Sequence, residues 1–197
     1  SVLVISEKEF LKSNMFCGKL FNSVFIRVND NGYHNRVCCN MKSATDYVST
    51  IDEILNSNDV LEARKNLKND IWPDICSPCK VSEDAGLISP RITYNKQYGY
   101  EKTDAITYWD IRPDNTCNLK CVMCNINWSS KWAEDIDIFN EFSASTHTGV
   151  PINRKKVDWE YIYTNTLDKA KGISFAGGEP FYMKNVIKFI ERLSNNE

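Results

Sequence analysis

The chain has 197 residues, 42% apolar and 25% charged, with a net charge of −2 and nine Tyr, nine Phe and five Trp to build a core. That balance excludes a disordered chain, and it lacks the basic excess of a general nucleic-acid or anionic-membrane binder. No apolar run approaches the roughly 20 residues of a membrane span, and Ser1 opens neither a basic leader nor a small-residue cleavage site.

In chain order, the stretch from Phe21 to Val28 is rich in β-forming residues. Asn29 to Gly32 supplies turn chemistry for a hairpin returning through Tyr33 to Cys38. Thr50 and Glu53 form a capping box for a short helix through Leu55, and Asn58-Asp59 starts a polar helix ending near Leu67. Residues Ile71 to Cys79, interrupted by Pro73 and Pro78, predict a knuckle rather than a regular helix. The polar, aromatic stretch from Pro90 to about Thr103 reads as a linker. Beyond it, Ala105 to Arg112 predicts a strand, broken at Pro113, and Trp128 to Phe139 a helix with Trp128, Trp132, Ile136 and Phe139 on one face. Ser143 to Lys156 is a polar excursion. Asp158 caps a helix carrying Trp159, Ile162, Tyr163, Leu167 and Ala170, with Gly172 as its C-cap. Ile173 to Ala176 predicts a buried strand running into Gly177-Gly178-Glu179-Pro180. Pro180 then opens a last helix striped by Val186, Ile187, Ile190 and Leu193. The second half thus reads strand, helix, strand, helix, a pattern of parallel strands with crossover helices.

Eight cysteines without a secretion signal imply a reducing, cytoplasmic setting, where clustered thiols are metal ligands more often than disulfides. Cys117-Asn118-Leu119-Lys120-Cys121-Val122-Met123-Cys124 sets three thiols on one loop directly after a strand. Three thiolates can hold three irons of a cubane cluster and leave the fourth iron open, whereas structural zinc normally takes four protein ligands. At Gly177 and Gly178 a backbone without Cβ can approach a ligand closely, and Glu179 offers an acceptor for an ammonium group.

The two motifs, in this order and each after a strand, resemble the radical S-adenosylmethionine (radical SAM) enzymes. The resemblance implies an α/β architecture. A small Cys-rich α+β lobe over 1–103 precedes the first two β/α units of a partial (β/α) barrel over 104–197. It implies a [4Fe–4S] cluster on Cys117, Cys121 and Cys124, with S-adenosyl-L-methionine on the open iron against Met123, Gly177, Gly178 and Glu179. One electron, from a donor such as a flavodoxin or ferredoxin, would cleave the sulfonium to methionine and a 5′-deoxyadenosyl radical. Since the family's core has about six such units, the chain is expected to be a fragment or natural truncation with little turnover by itself; the missing initiator Met fits this.

Cys17, Cys38, Cys76 and Cys79 resemble the auxiliary-cluster region of the SPASM and twitch extensions, with two departures. That region usually follows the radical core, whereas here it precedes it, and the interval from Gly32 to Cys38 is one residue longer than the common pattern, so Cys39 is an alternative ligand. A Cys₄ zinc knuckle would satisfy the same thiols. The substrate is expected to be a peptide or protein side chain, or else a sugar or alcohol oxidised as a small molecule. A zinc-stabilised binding module is the non-enzymatic alternative. Neither nucleic acid nor membrane is an expected partner. His34 and His147 read as isolated surface or turn residues, Arg64 to Lys68 and Arg154 to Lys156 as solvated faces, and Asp110 and Arg112 as solvated strand-edge residues.

Overall fold

The computed structural model describes residues 15–42, 46–142, 156–166 and 168–195. They form a mixed α/β fold around one open sheet. The elements run α1 (Gly18–Asn22), β1 (Ser23–Asn29), β2 (Gly32–His34), β3 (Tyr47–Val48), α2 (Ile51–Leu55) and α3 (Asn58–Lys68). They continue with α4 (Ser77–Asp84), α5 (Pro90–Tyr98), β4 (Tyr108–Arg112), α6 (Ile136–Phe142), α7 (Trp159–Thr166), β5 (Gly172–Phe175) and α8 (Lys184–Asn195). Short 3₁₀ turns precede α4, α6 and α8.

The strand order is β3-β2-β1-β4-β5. The hairpin predicted at Asn29 is present: Asn29 pairs with Gly32 across a two-residue turn. Its return strand stops at His34, so Cys38 lies in the following loop. More consequential is the parallel pairing of β1 with β4, which aligns Ser23 with Tyr108 and Arg27 with Arg112, while β4 pairs in parallel with β5. The sheet therefore runs continuously across residue 103, and one apolar core draws on both sides of it.

Strand periodicity divides the sheet into unlike faces. Val24, Ile26, Trp109 and Ile111 are buried in the core with Ile54, Leu67 and Ile162, and Ile173 and Phe175 pack against it. The opposite face carries Phe25, Arg27, Asp110 and Arg112, which alternate with those apolar residues. Asp110 is buried and ion-paired to Arg112 at 3.1 Å, so it is not the solvated edge residue its sequence setting suggests.

Thr50 caps α2 as expected, accepting the Glu53 amide at 3.3 Å, and Asp158 caps α7 through the Tyr161 amide at 3.0 Å. Four expectations are corrected. The Pro90–Tyr98 stretch is helix α5, not a linker: Ser89 accepts the Ile92 amide, Pro90 occupies the first turn, and Gly99 ends the helix at φ +88°. Ser77 to Asp84 is a regular helix despite Pro78, which sits in the first turn, where its missing N–H is not needed. The segment from Trp128 begins as a 3₁₀ turn, Ser130–Asp135, and becomes α-helical only at Ile136. Gly172 starts β5 instead of capping α7, because it pairs with Tyr108 in the parallel ladder, its amide on Thr107 O at 3.1 Å.

Pro180 opens a single 3₁₀ turn, and α8 begins separately at Lys184. Its buried positions are Val186 and Phe189, with Ile187 and Ile190 exposed. Phe189 sits in an aromatic group with Trp159, Tyr163 and Phe175. Leu167, His147, Arg154 and most of the polar excursion lie outside the described residues. None of the described helices is long and apolar enough to cross a membrane.

Candidate metal centres and the sheet edge

Parallel pairing brings the carboxyl ends of β4 and β5 to one edge of the sheet, and the two sequence motifs follow those ends. The ladder continues beyond the strands. The Ala176 amide bonds Ile111 O at 3.0 Å, Gly178 bonds Asp114 O at 3.2 Å, and Glu179 bonds Thr116 O at 2.9 Å. The glycine bend is thus laid against the segment entering Cys117. Gly177 has φ +109°, and a Cβ on Gly178 would come within 2.1 Å of Thr116 O, so this approach requires glycine at both positions.

The cysteine loop has its own braces. Asn115 Nδ2 donates to Ile126 O at 3.0 Å, the Ser130 amide to Asn115 O at 2.7 Å, and the Cys117 amide to Ser130 Oγ at 3.0 Å. Cys121 and Cys124 lie in one turn, closed by the Cys124 amide on Cys121 O at 2.9 Å. Cys121 is exposed; Cys117 and Cys124 are half-buried. The Leu119 amide donates to Cys117 Sγ at 3.4 Å, a bond that suits a thiolate. Val122 and Met123 are 100% and 95% exposed, so the loop's apolar tip faces outward. Glu179 accepts the Phe181 amide at 3.0 Å, which fixes its carboxylate beside the bend.

The other cysteines are gathered from separate parts of the chain. Cys17, Cys38, Cys76 and Cys79 line one small cavity with Trp72, and Arg91 beside them. Cys39 is not in its lining; its thiol hydrogen-bonds to the Asn40 side chain at 3.3 Å. Helix α5 holds this assembly together. Asn95 accepts the Gly18 amide and donates to Phe16 O, both at 2.8 Å, and Arg91 adds a second donor to Phe16 O at 2.8 Å, fixing Cys17. Arg91 also grips Glu83 of α4 with Nε on Oε1 at 2.9 Å, which ties Cys17 to the helix bearing Cys79. The Lys42 amide on Ile75 O, at 2.8 Å, brings the Cys38 loop to Cys76.

Burial, and then the neighbouring sulfurs Cys76 and Cys79, push the Cys17 thiol up to about 12. Burial and Cys79 do the same to Cys76, also about 12. Cys38 is drawn down, first by its hydrogen bond with Cys39, which is itself pushed up. These thiols feel one another across the cavity, and a bound metal would deprotonate them. No three His, Cys, Asp or Glu side chains among the described residues are close enough to hold a metal ion.

On the other flank of the cysteine loop lies a pocket missed in the sequence. It is lined by Arg27, His34, Tyr47, Arg112, Asn127 and Trp128, among others. His34 is therefore part of a built environment. Burial, then the Arg27 and Arg36 charges, lower its imidazole to about 4, which keeps it neutral at pH 7. A wider cleft, between α3 and residues 102–106, contains no cysteine. The chain matches no protein-family model, no curated protein and no solved structure.

Proposed function

We propose that the chain is part of a radical SAM enzyme, in which β4 and β5 open a (β/α) barrel and Cys117, Cys121 and Cys124 hold a [4Fe–4S] cluster. The observation that carries this reading is the hydrogen-bonded contact of the Gly177–Glu179 bend with the segment entering Cys117. Two motifs some fifty residues apart in sequence form one surface at the carboxyl edge of parallel strands, where α/β folds bind ligands.

The donor chemistry fits the group. Three thiols share one loop, and a backbone amide already bonds the Cys117 sulfur. When bound, the cluster and S-adenosylmethionine supply an electron and a sulfonium leaving bond, the start of radical chemistry. Around them the chain's own residues position and bind. The Gly177–Gly178 backbone sets the bend against the segment entering Cys117, the Glu179 carboxylate accepts from a ligand's ammonium, and exposed Met123 offers apolar contact to an adenine ring. The polar sheet face bearing Asp110 and Arg112 becomes the barrel interior.

Cys17, Cys38, Cys76 and Cys79 form the second metal site in this reading, an auxiliary iron–sulfur cluster. Four thiolates leave no open coordination position, so its role is structural or electron-transferring. Anaerobic reconstitution tests the whole. We expect about eight irons per chain, falling to about four in the Cys117→Ala/Cys121→Ala/Cys124→Ala variant, which also loses S-adenosylmethionine binding. Zinc without iron in the wild-type chain would refute the enzymatic reading and favour a zinc-stabilised binding module.

A further inference from the structure

The pocket beside the cysteine loop combines features that neither metal site uses. Its floor is the registered pair Arg27 and Arg112 at the ends of β1 and β4, and its wall is the part of the cysteine loop carrying Asn127 and Trp128. Arg36 stands behind, its guanidinium 4.8 Å from the Phe25 ring centre, with Arg112 5.0 Å from the same ring. Three guanidiniums thus crowd one end of the sheet. Asp110 is ion-paired to Arg112, and Asp114, also in the lining, accepts the Thr116 amide at 2.7 Å. Among the described residues neither Arg27 nor Arg36 makes an ion pair or a side-chain hydrogen bond. Of the two, Arg27 lines the pocket.

Arg27 is also pre-oriented. Its guanidinium lies over the Trp128 ring at 4.1 Å, which fixes its plane while leaving its N–H donors for an oxyanion. We propose that this pocket binds the carboxylate or phosphate group of a small molecule, with Arg27 as the principal anchor and Tyr47, Asn127 and neutral His34 around it. Burial and the neighbouring Arg36 and Arg112 charges lower the Arg27 pKa, a crowding that an incoming anion would relieve. If the cofactor reading is right, the anchored group sits on the flank of the cysteine loop opposite the glycine bend, as a substrate handle would.

The test needs no metal and no S-adenosylmethionine, so its failure leaves the cofactor reading standing, and failed cluster loading leaves this one standing. Titration calorimetry of the metal-free chain at low ionic strength, with inorganic phosphate and separately with succinate, should show saturable 1:1 binding of at least one. The tighter of the two identifies the source of the oxyanion. Arg27→Gln should weaken binding at least tenfold and Arg27→Lys should partly restore it, while Lys65→Gln, in the cleft by α3, should leave it unchanged. Should Arg27→Gln fail to fold, the wild-type chain still decides. Saturating ligand should move the ring resonances of His34 and raise its pKa, with His147, the only other histidine, as internal reference. Absence of saturable binding for both probes, wild-type binding by folded Arg27→Gln, or an unmoved His34 would each overturn the proposal.

Discussion

The two groups of cysteines are built on opposite principles. Cys117, Cys121 and Cys124 share one eight-residue loop, half-exposed, and that loop is braced by its own side chains and by the glycine bend of the neighbouring strand. Cys17, Cys38, Cys76 and Cys79 come from three separate stretches and meet only because α5, α4 and the Cys38 loop are hydrogen-bonded into one block. The first group is local and accessible. The second is set by tertiary structure, with Cys17 and Cys79 buried and Cys38 and Cys76 half-buried. Damage to the fold should therefore separate them.

The largest such effect is expected at Arg91, which is 8% exposed, ion-paired to Glu83 and bonded to Phe16 O. Arg91→Ala should cost about 1.5–3 kcal/mol by removing charge-assisted hydrogen bonds to the partly buried Glu83 carboxylate and to Phe16 O. Read by urea unfolding with metal analysis, it should empty the buried group and spare the loop. Equal loss from both groups would erase the distinction. Gly178→Ala comes next. Its Cβ meets Thr116 O, so unfolding stability should fall by more than about 1 kcal/mol. S-adenosylmethionine binding should weaken at least tenfold, with the iron content of the chain unchanged.

A smaller effect concerns pH. His34 has a folded pKa depressed to about 4 from 6.5, so the unfolded chain binds the extra proton between those values. Its contribution is complete above pH 6.5 and is lost as pH falls toward 4. Glu83, held below its ordinary value by Arg91 and Ser89 against the opposing effect of burial, loses its contribution only as pH falls below about 4.5. Urea midpoints measured from pH 6.5 to 5 should therefore flatten in His34→Gln and keep their slope in Glu83→Gln. The smallest effect is at Cys39: Cys39→Ser should leave metal content unchanged, whereas Cys38→Ser should lower it. The reverse result would exchange the two cysteines' roles.

The loop site was legible because its parts lie within short sequence windows. A three-thiol spacing and a Gly-Gly pair each announce themselves, and their order along the chain suggested adjacency. The four candidate residues of the buried group could be named, but what joins them could not. Helix α5 was missed although Ser89, Pro90 and Gly99 are ordinary start and stop signals. The reason is that its buried face is Arg91, Tyr94 and Asn95: Arg91 and Asn95 hold their neighbours by hydrogen bonds and Tyr94 packs its ring on Tyr108, with no aliphatic stripe to signal the helix. The arginine pocket was out of reach for a different reason. It exists only through the parallel register that sets Arg27 beside Arg112, and nothing local to either residue signals that pairing. Asp110 was misjudged on the same ground, since its burial depends on a strand from the far end of the chain.

The alignment of Ser23 with Tyr108 also fixes how far apart the metals would stand. Val37 O accepts from Ser23 Oγ at 3.1 Å, and Lys19 lies over the Tyr108 ring, so the buried thiols belong to the amino end of the parallel strands. The exposed loop leaves from the carboxyl end. Strand β4 alone interposes about 13 Å. In the proposed reading, a molecule clasped at one pole is therefore beyond the grasp of the other, and only electrons could pass between the two sites.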